Sequence, residues 1–445
     1  MLRLMVTAVI AAAILVAANV PAFATRNDIV GTWQGVLMGE PPPVHRVLKI
    51  SRDAGGTLRG IMYSPDETDA PIHPRSIRLD GSQLTIQIDM NSDPWLDYHR
   101  TYRATMSADG QTLTGRWYTP GLAPGQMNFR RVTNTAALWR IPSVPIQHFV
   151  TVQPNVKLET LDWGGTGRPV VLLAGLGNTA HAFYKFANDL KAKYRVYGIT
   201  RRGFGASSKP VPTAGNYSVD RLADDVIAVI DALKIDKPVL VGHSIAGEEL
   251  SDIGKRYPQK VAALVYLEAG YGYSLYDPKH GFLYLDAMAV QHALANLAFG
   301  PPREKAQLDD LLGIQLPRLQ RGLQSEKTLA DALPADLPKD PNEATELAVL
   351  HGEQIFQPPI DRPILAIFAL PHDLSILSGA DPKKRAAAAA AFDADTAAQV
   401  SYFKHALPAA RVIILPHANH FVFLSNEADV LRAVNAFIGG LPNSP

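Results

Sequence analysis

The residue best placed to do chemistry in this sequence is a serine. Gly242-His243-Ser244-Ile245-Ala246-Gly247 follows an apolar run, Pro238-Val239-Leu240-Val241, and precedes a helix-competent run from Glu248 to Tyr257 that Pro258 stops. A strand, a tight turn and a helix with serine at the tip lift a hydroxyl out of a sheet. The helix N-terminus behind it offers free N–H groups and a partial positive charge. Such a turn needs small flanking residues, and Gly242 and Ala246 stand two before and two after Ser244. This is the nucleophile-elbow pattern G-x-S-x-G with alanine in its last place. A hydroxyl there can attack a carbonyl once a base takes its proton. The same residues also describe an N-cap serine, so the motif alone does not decide. Glu248 and Glu249, in the first helical turn, suit the helix dipole without a catalytic role.

The elements around this motif follow from composition and periodicity. The chain has 445 residues, which predicts more than one domain, and 47% of them are hydrophobic, which predicts a real core. Forty-three Lys and Arg balance 42 Asp and Glu, giving no reason to expect nucleic acid or an anionic membrane as partner. There is no cysteine, which excludes disulfides, a thiol nucleophile and thiolate metal sites. Residues 1–24 read as a signal peptide: Arg3, an apolar stretch from Val6 to Val20, and a small-x-small end at Ala22-Phe23-Ala24. The expectation is a periplasmic or secreted protein beginning near Thr25, with no stable membrane span after cleavage.

Residues 25–132 alternate with period two, as in Leu84, Ile86 and Ile88 or Tyr102, Ala104 and Met106. Turn signals such as Asp80-Gly81 and Asp109-Gly110 separate the runs. This predicts a small all-β barrel-like domain of about seven or eight strands. Gly31-Thr32-Trp33 and Arg130-Arg131 make it similar to the lipocalin-like barrels, and that resemblance implies an arginine packed over the tryptophan at one end. Residues 133–147, with Pro142 and Pro145, read as a linker. From 148 to 445 strands alternate with helices, which predicts α/β architecture with a mostly parallel sheet covered on both faces. An insertion at about 270–358 has helical spacing. The poly-alanine run Ala386–Ala391 needs no function beyond helix propensity.

This C-terminal stretch resembles the α/β-hydrolase family. The carriers are the elbow, the order of elements and Arg202-Gly203-Phe204-Gly205-Ala206-Ser207, which matches that family's R-G-F-G-x-S loop. The resemblance implies a Ser-His-acid triad and a helical cap over the serine. It implies that His420, in Ala418-Asn419-His420-Phe421, is the base. It implies Asp373, in Leu370-Pro371-His372-Asp373, as the acid, with Glu268 after an earlier strand as the alternative. The oxyanion hole would use the N–H groups of Ile245 and Leu176. The serine argues against the dehalogenase and epoxide-hydrolase branches, which use aspartate.

Several rivals remain at this level. His417 and His420 could be a metal pair, but no third ligand is near, so no metal and no cofactor are expected. Gly175-x-Gly177-x-x-Ala180 with Arg201 fits a dinucleotide fingerprint, but two strands precede it and the elbow would go unexplained. His181 either approaches the pocket or opens a helix. Tyr271, Tyr273, Tyr276 and Phe282 either line a pocket or pack helices. The expected activity is hydrolysis of a small, apolar carboxylic ester. The alternatives are an amidase or aminopeptidase, for which Glu248 or Glu249 would meet the amine, and a binding protein with an inactive hydrolase domain.

Overall fold

The computed structural model describes residues 28–38, 44–64, 68–90, 98–118, 125–132, 145–299, 305–332, 342–374 and 381–442. The expected signal peptide and most of the expected linker lie outside these residues.

The N-terminal domain is one antiparallel sheet: β1 Gly31–Met38, β2 Val44–Arg52, β3 Leu58–Ser64, β4 Thr68–Ile72, β5 Ser76–Asp80, β6 Gln83–Met90, β7 Tyr98–Met106, β8 Thr112–Tyr118 and β9 Gly125–Arg131. The strand order is β4-β3-β2-β1-β9-β8-β7-β6-β5. Nine strands are described where seven or eight are expected, because residues 68–80 fold as two short strands at the two ends of the sheet. The sheet curls so that these ends approach: a Cβ on Gly60 of β3 would stand 2.4 Å from Ile77 Cδ1 of β5. Large side chains fill the interior, among them Trp33, Tyr102 and Phe129, all fully buried. The Arg131 guanidinium lies 4.2 Å over the Trp33 ring and donates to the carbonyls of Val30 and Gly110. This is the packing that the lipocalin-like resemblance implies.

The C-terminal domain is built on a second sheet, ordered β10-β11-β13-β12-β14-β15-β16-β17. Its strands are β10 Ile146–Gln153, β11 Val156–Gly164, β12 Pro169–Leu173, β13 Arg195–Ile199, β14 Val239–His243, β15 Ala263–Leu267, β16 Ile364–Ala369 and β17 Arg411–Leu415. β10, β11 and β13 pair antiparallel, and β13-β12-β14-β15-β16-β17 pair parallel. Val, Leu and Ile dominate the central strands, and their residues are buried on both faces. Phe183, Phe423 and Val434 cover one face, while Val226, Ile253 and Phe403 cover the other. The chain goes from β12 to one side and then to the other, so a crevice opens at the C-terminal ends of β12 and β14. Ser244 and the loop 174–178 lie there. The insertion between β15 and β16 is helical, with helices Leu283–Phe299, Leu316–Ala330 and Glu343–Leu350 among its described parts.

Candidate active site

β14 ends at His243, and Ser244 turns the chain with φ +54° before the helix Ala246–Arg256. A non-glycine residue with φ in this range is strained and persists only where its surroundings fix it. They do: the Ser244 N–H donates to Leu267 O, and its carbonyl accepts from Gly247 N–H. The small residues are required. A Cβ on Gly242 would meet Leu250 at 2.9 Å, one on Gly247 would meet Ala269 O at 2.0 Å, and one on Gly175 would meet Ser244 Cβ at 3.1 Å. Ala246 is fully buried, so the methyl in the last place of the motif is accommodated.

His420 lies in the loop after β17. Its Nδ1 is 3.3 Å from Glu268 Oε2. Glu268 follows β15 directly, has φ +49° and is completely buried. Its carboxylate also accepts from Ala369 N–H at 2.6 Å, from the Tyr271 hydroxyl at 2.7 Å and from His372 Nε2 at 3.1 Å. Burial pushes this carboxyl up, but the hydrogen bonds and charges of His372 and His420 outweigh it and hold it at about 2. The resemblance implies Asp373 as the acid on His420, with Glu268 as the alternative, and the carboxylate within hydrogen-bond reach of His420 is that of Glu268. The physical reason is the turn after β16. His372, not Asp373, points inward from it, while the Asp373 N–H donates to Ala418 O.

Behind Glu268 the network continues. His372 Nδ1 is 2.9 Å from Asp393 Oδ1, and the His372 backbone N–H donates to the same oxygen. With a carboxylate on each ring nitrogen, His372 is an imidazolium donating both ways. Burial lowers its pKa, but Glu268 and Asp393 together raise it above the ordinary histidine value. Asp393 sits in the helix Pro382–Ala406, the element that holds the poly-alanine run. Sequence reasoning passed over His372 and Asp393. The signal available was a histidine beside the candidate acid and an acid just after the alanines.

His243 packs against His420, with ring centroids 4.7 Å apart, and its Nε2 is 3.0 Å from the His420 carbonyl. Burial and the neighbouring His420 lower its pKa to about 3, so it is a neutral donor that holds the His420 loop.

The loop Gly175-Leu176-Gly177-Asn178 faces the elbow. Asn178 N–H closes it onto Gly175 O. Among the described residues neither Leu176 N–H nor Ile245 N–H has a backbone acceptor. Arg201 fixes the loop from behind: it donates to the carbonyls of Ala174 and Gly175 and forks onto Glu249 at 2.8 and 2.9 Å. Buried and so engaged, Arg201 is not available to a nucleotide phosphate, which removes the dinucleotide rival. His181 lies in the short 3-10 turn Ala180–Phe183 with Nε2 3.1 Å from Glu159. No group of three or more His, Asp or Glu suited to a metal occurs among the described residues.

The start of the cap supplies hydroxyls as well as packing. Tyr273 packs edge-on against Phe282. Tyr276 donates to Asp286 at 2.6 Å. Leu176, Ile245, Tyr273 and Val349 form one apolar cluster that joins the elbow to the cap. A hydroxyl at a strained tip, an imidazole held by a buried carboxylate and two free N–H groups can together run acyl transfer.

Residues 168–307 match the family model for the alpha/beta hydrolase fold. The C-terminal domain has the α/β-hydrolase fold. RutD of Caulobacter segnis, assigned to carbamate hydrolysis, is 35% identical over 125 residues, which are 28% of this chain and 45% of that protein. Epoxide hydrolase 4 of Mus musculus is 29% identical over 33% of this chain and 41% of its own length. The matched stretch spans less than half of either relative. Among solved structures, a thermophilic esterase from Thermogutta terrifontis covers 66% of this chain and 98% of its own, with 18% identity and a TM-score of 0.42. Both of these relatives are named as hydrolases. No helix among the described residues is long and apolar enough to cross a membrane.

Proposed function

We propose that this protein is an exported serine hydrolase that cleaves carboxylic esters through an acyl-enzyme. The observation that carries this reading is the contact of Glu268 Oε2 with His420 Nδ1, next to a serine on a strained elbow. With Nδ1–H directed at Glu268, Nε2 is the nitrogen left to take the serine proton. Ser244 Oγ attacks the ester carbonyl, and His420 becomes an imidazolium that Glu268 stabilises. Ile245 and Leu176 N–H groups hold the negative oxygen of the tetrahedral intermediate. His420 then protonates the departing alkoxide, and a water activated by the same imidazole releases the acid. A serine forms an acyl-enzyme and not the alkyl-enzyme that an elbow carboxylate would give, so the reading stays with acyl transfer although an epoxide hydrolase is among the relatives. Export is supported by Arg3, the Val6–Val20 stretch and Ala22-Phe23-Ala24.

The test is labelling by a fluorophosphonate, with the modified peptide read by mass spectrometry. Modification at Ser244, lost in Ser244→Ala together with aryl-ester turnover, is the expected result. Ester turnover that survives in a folded Ser244→Ala protein would refute the reading.

A further inference from the structure

One group of buried side chains beside the elbow has no role in the chemistry above. Glu248, four residues past Ser244 in the first turn of the elbow helix, is completely buried. Glu353, on the segment that leaves the cap helix Glu343–Leu350, is 6% exposed. None of their four carboxyl oxygens has a hydrogen-bond partner among the described residues. Their acidic neighbours differ: Glu249 is forked onto Arg201, and Asp252 is paired with Arg256. Burial pushes the Glu353 carboxyl up to about 8, and burial with the adjacent Glu353 pushes Glu248 well above the usual carboxylate range. Tyr273 links the pair to the elbow, because its hydroxyl lies in the field of both carboxyls and its ring packs with Ile245, the residue after Ser244.

Buried carboxyl oxygens without donors are costly, and two such groups side by side repel when ionised. The missing component is a cation with several donors. Two carboxyls are too few for a calcium or magnesium cage, and no third ligand joins them among the described residues. A primary ammonium brings three N–H donors and one positive charge, which suits a two-carboxyl cradle.

We propose that Glu248 and Glu353 form an ammonium-binding subsite, so that the substrate carries a primary amine within a few bonds of the carbonyl that Ser244 attacks. This rests on the serine-hydrolase reading and replaces the expected neutral substrate with an amino-acyl one. Glu248 contributes from the elbow helix and Glu353 from the cap. Glu249, the other candidate for an amine, is already engaged by Arg201.

The test compares naphthyl esters of glycine, β-alanine and 4-aminobutyric acid with the matched acetate, propionate and butyrate esters. The quantity read is the ratio of kcat/KM for charged over uncharged partners. At the best chain length this ratio should fall about tenfold or more in Glu248→Gln and in Glu353→Gln, the size of one charge-assisted hydrogen bond. A ratio that neither substitution moves would overturn the subsite. The uncharged series and Ser244 labelling report on the hydrolase reading alone, so failure there is a separate result. A second measurement needs no turnover: n-propylammonium should raise the Tm of the wild-type protein and not of either variant. Equal shifts in all three proteins, or none in the wild type, would also overturn it.

Discussion

Two groups of buried carboxyls lie on elements that adjoin the Ser244 elbow, and they are opposites. In one, Glu268 is fully enclosed and held at about 2, because the hydrogen bonds and charges of His372 and His420 outweigh its burial, and a backbone N–H and a tyrosine hydroxyl also donate to it. In the other, Glu353 and Glu248 are equally enclosed, have no donors and are shifted upward. The residue type is the same and the burial is the same. The difference lies in the partners: burial alone disfavours a carboxylate, and only supplied donors reverse that sign. A carboxylate with its donors in place holds a fixed charge and orients a base. One without them waits for a donor from outside.

The comparison can be broken at several points. Ser244→Ala sets its scale, since both sites act through this hydroxyl; turnover should fall about 10⁴-fold or more, measured as kcat on aryl esters. Next comes the choice of acid. Glu268→Gln should lower kcat about 10³- to 10⁴-fold, whereas Asp373→Asn should stay within about threefold. If Asp373→Asn is the crippled variant, the donor-rich site is not the one that orients His420.

His372→Asn removes one donor from Glu268 and should lower kcat by on the order of tenfold, the worth of one such bond. It should also move the acid limb of the Tm–pH profile to higher pH, because a carboxylate that loses a donor protonates more readily. A drop in rate with an unmoved limb would make His372 a packing residue only.

The smallest effect is on stability. The lowered pKa of Glu268 gives stability that is present above about 4.5 and is lost as pH falls through about 2. The raised pKa of Glu353 works the other way: its stability is complete below about 4.5 and is lost as pH rises through about 8. The wild-type Tm should therefore decline by several degrees between those limits, and Glu353→Gln should flatten the decline. An identical slope in both proteins would mean that Glu353 is solvated.

Features with a local signature were legible in the sequence. The elbow is a contiguous strand-turn-helix pattern, the alternation in β6–β8 announces an antiparallel sheet, and Trp33 and Arg131 stand at opposite ends of their domain yet meet. The acid was not legible, because β15 and β16 are neighbours in the sheet and each is followed closely by an acid. Which of Glu268 and Asp373 faces His420 depends on how the turn at Leu370-Pro371 aims the next side chains. Sequence does not give that direction. Asp393 was hidden for a related reason: its partner lies 21 residues away, and helix propensity already accounts for its surroundings. Glu353 carries no local signature, because its surroundings form only when the cap folds.

The Arg201 fork has a mechanical consequence. One planar guanidinium grips the carbonyls of Ala174 and Gly175 and, at the same time, Glu249 of the elbow helix. The loop bearing Leu176 and the helix bearing Ile245 are thereby riveted together from the side away from the substrate. The spacing of the two N–H groups is fixed during folding and does not wait for a ligand. A lysine there would keep the charge but lose the planar fork, and the two pieces would slip against each other. The floor of the site is thus a single rigid part, and the cap above it can be remodelled for a new substrate without re-machining that floor.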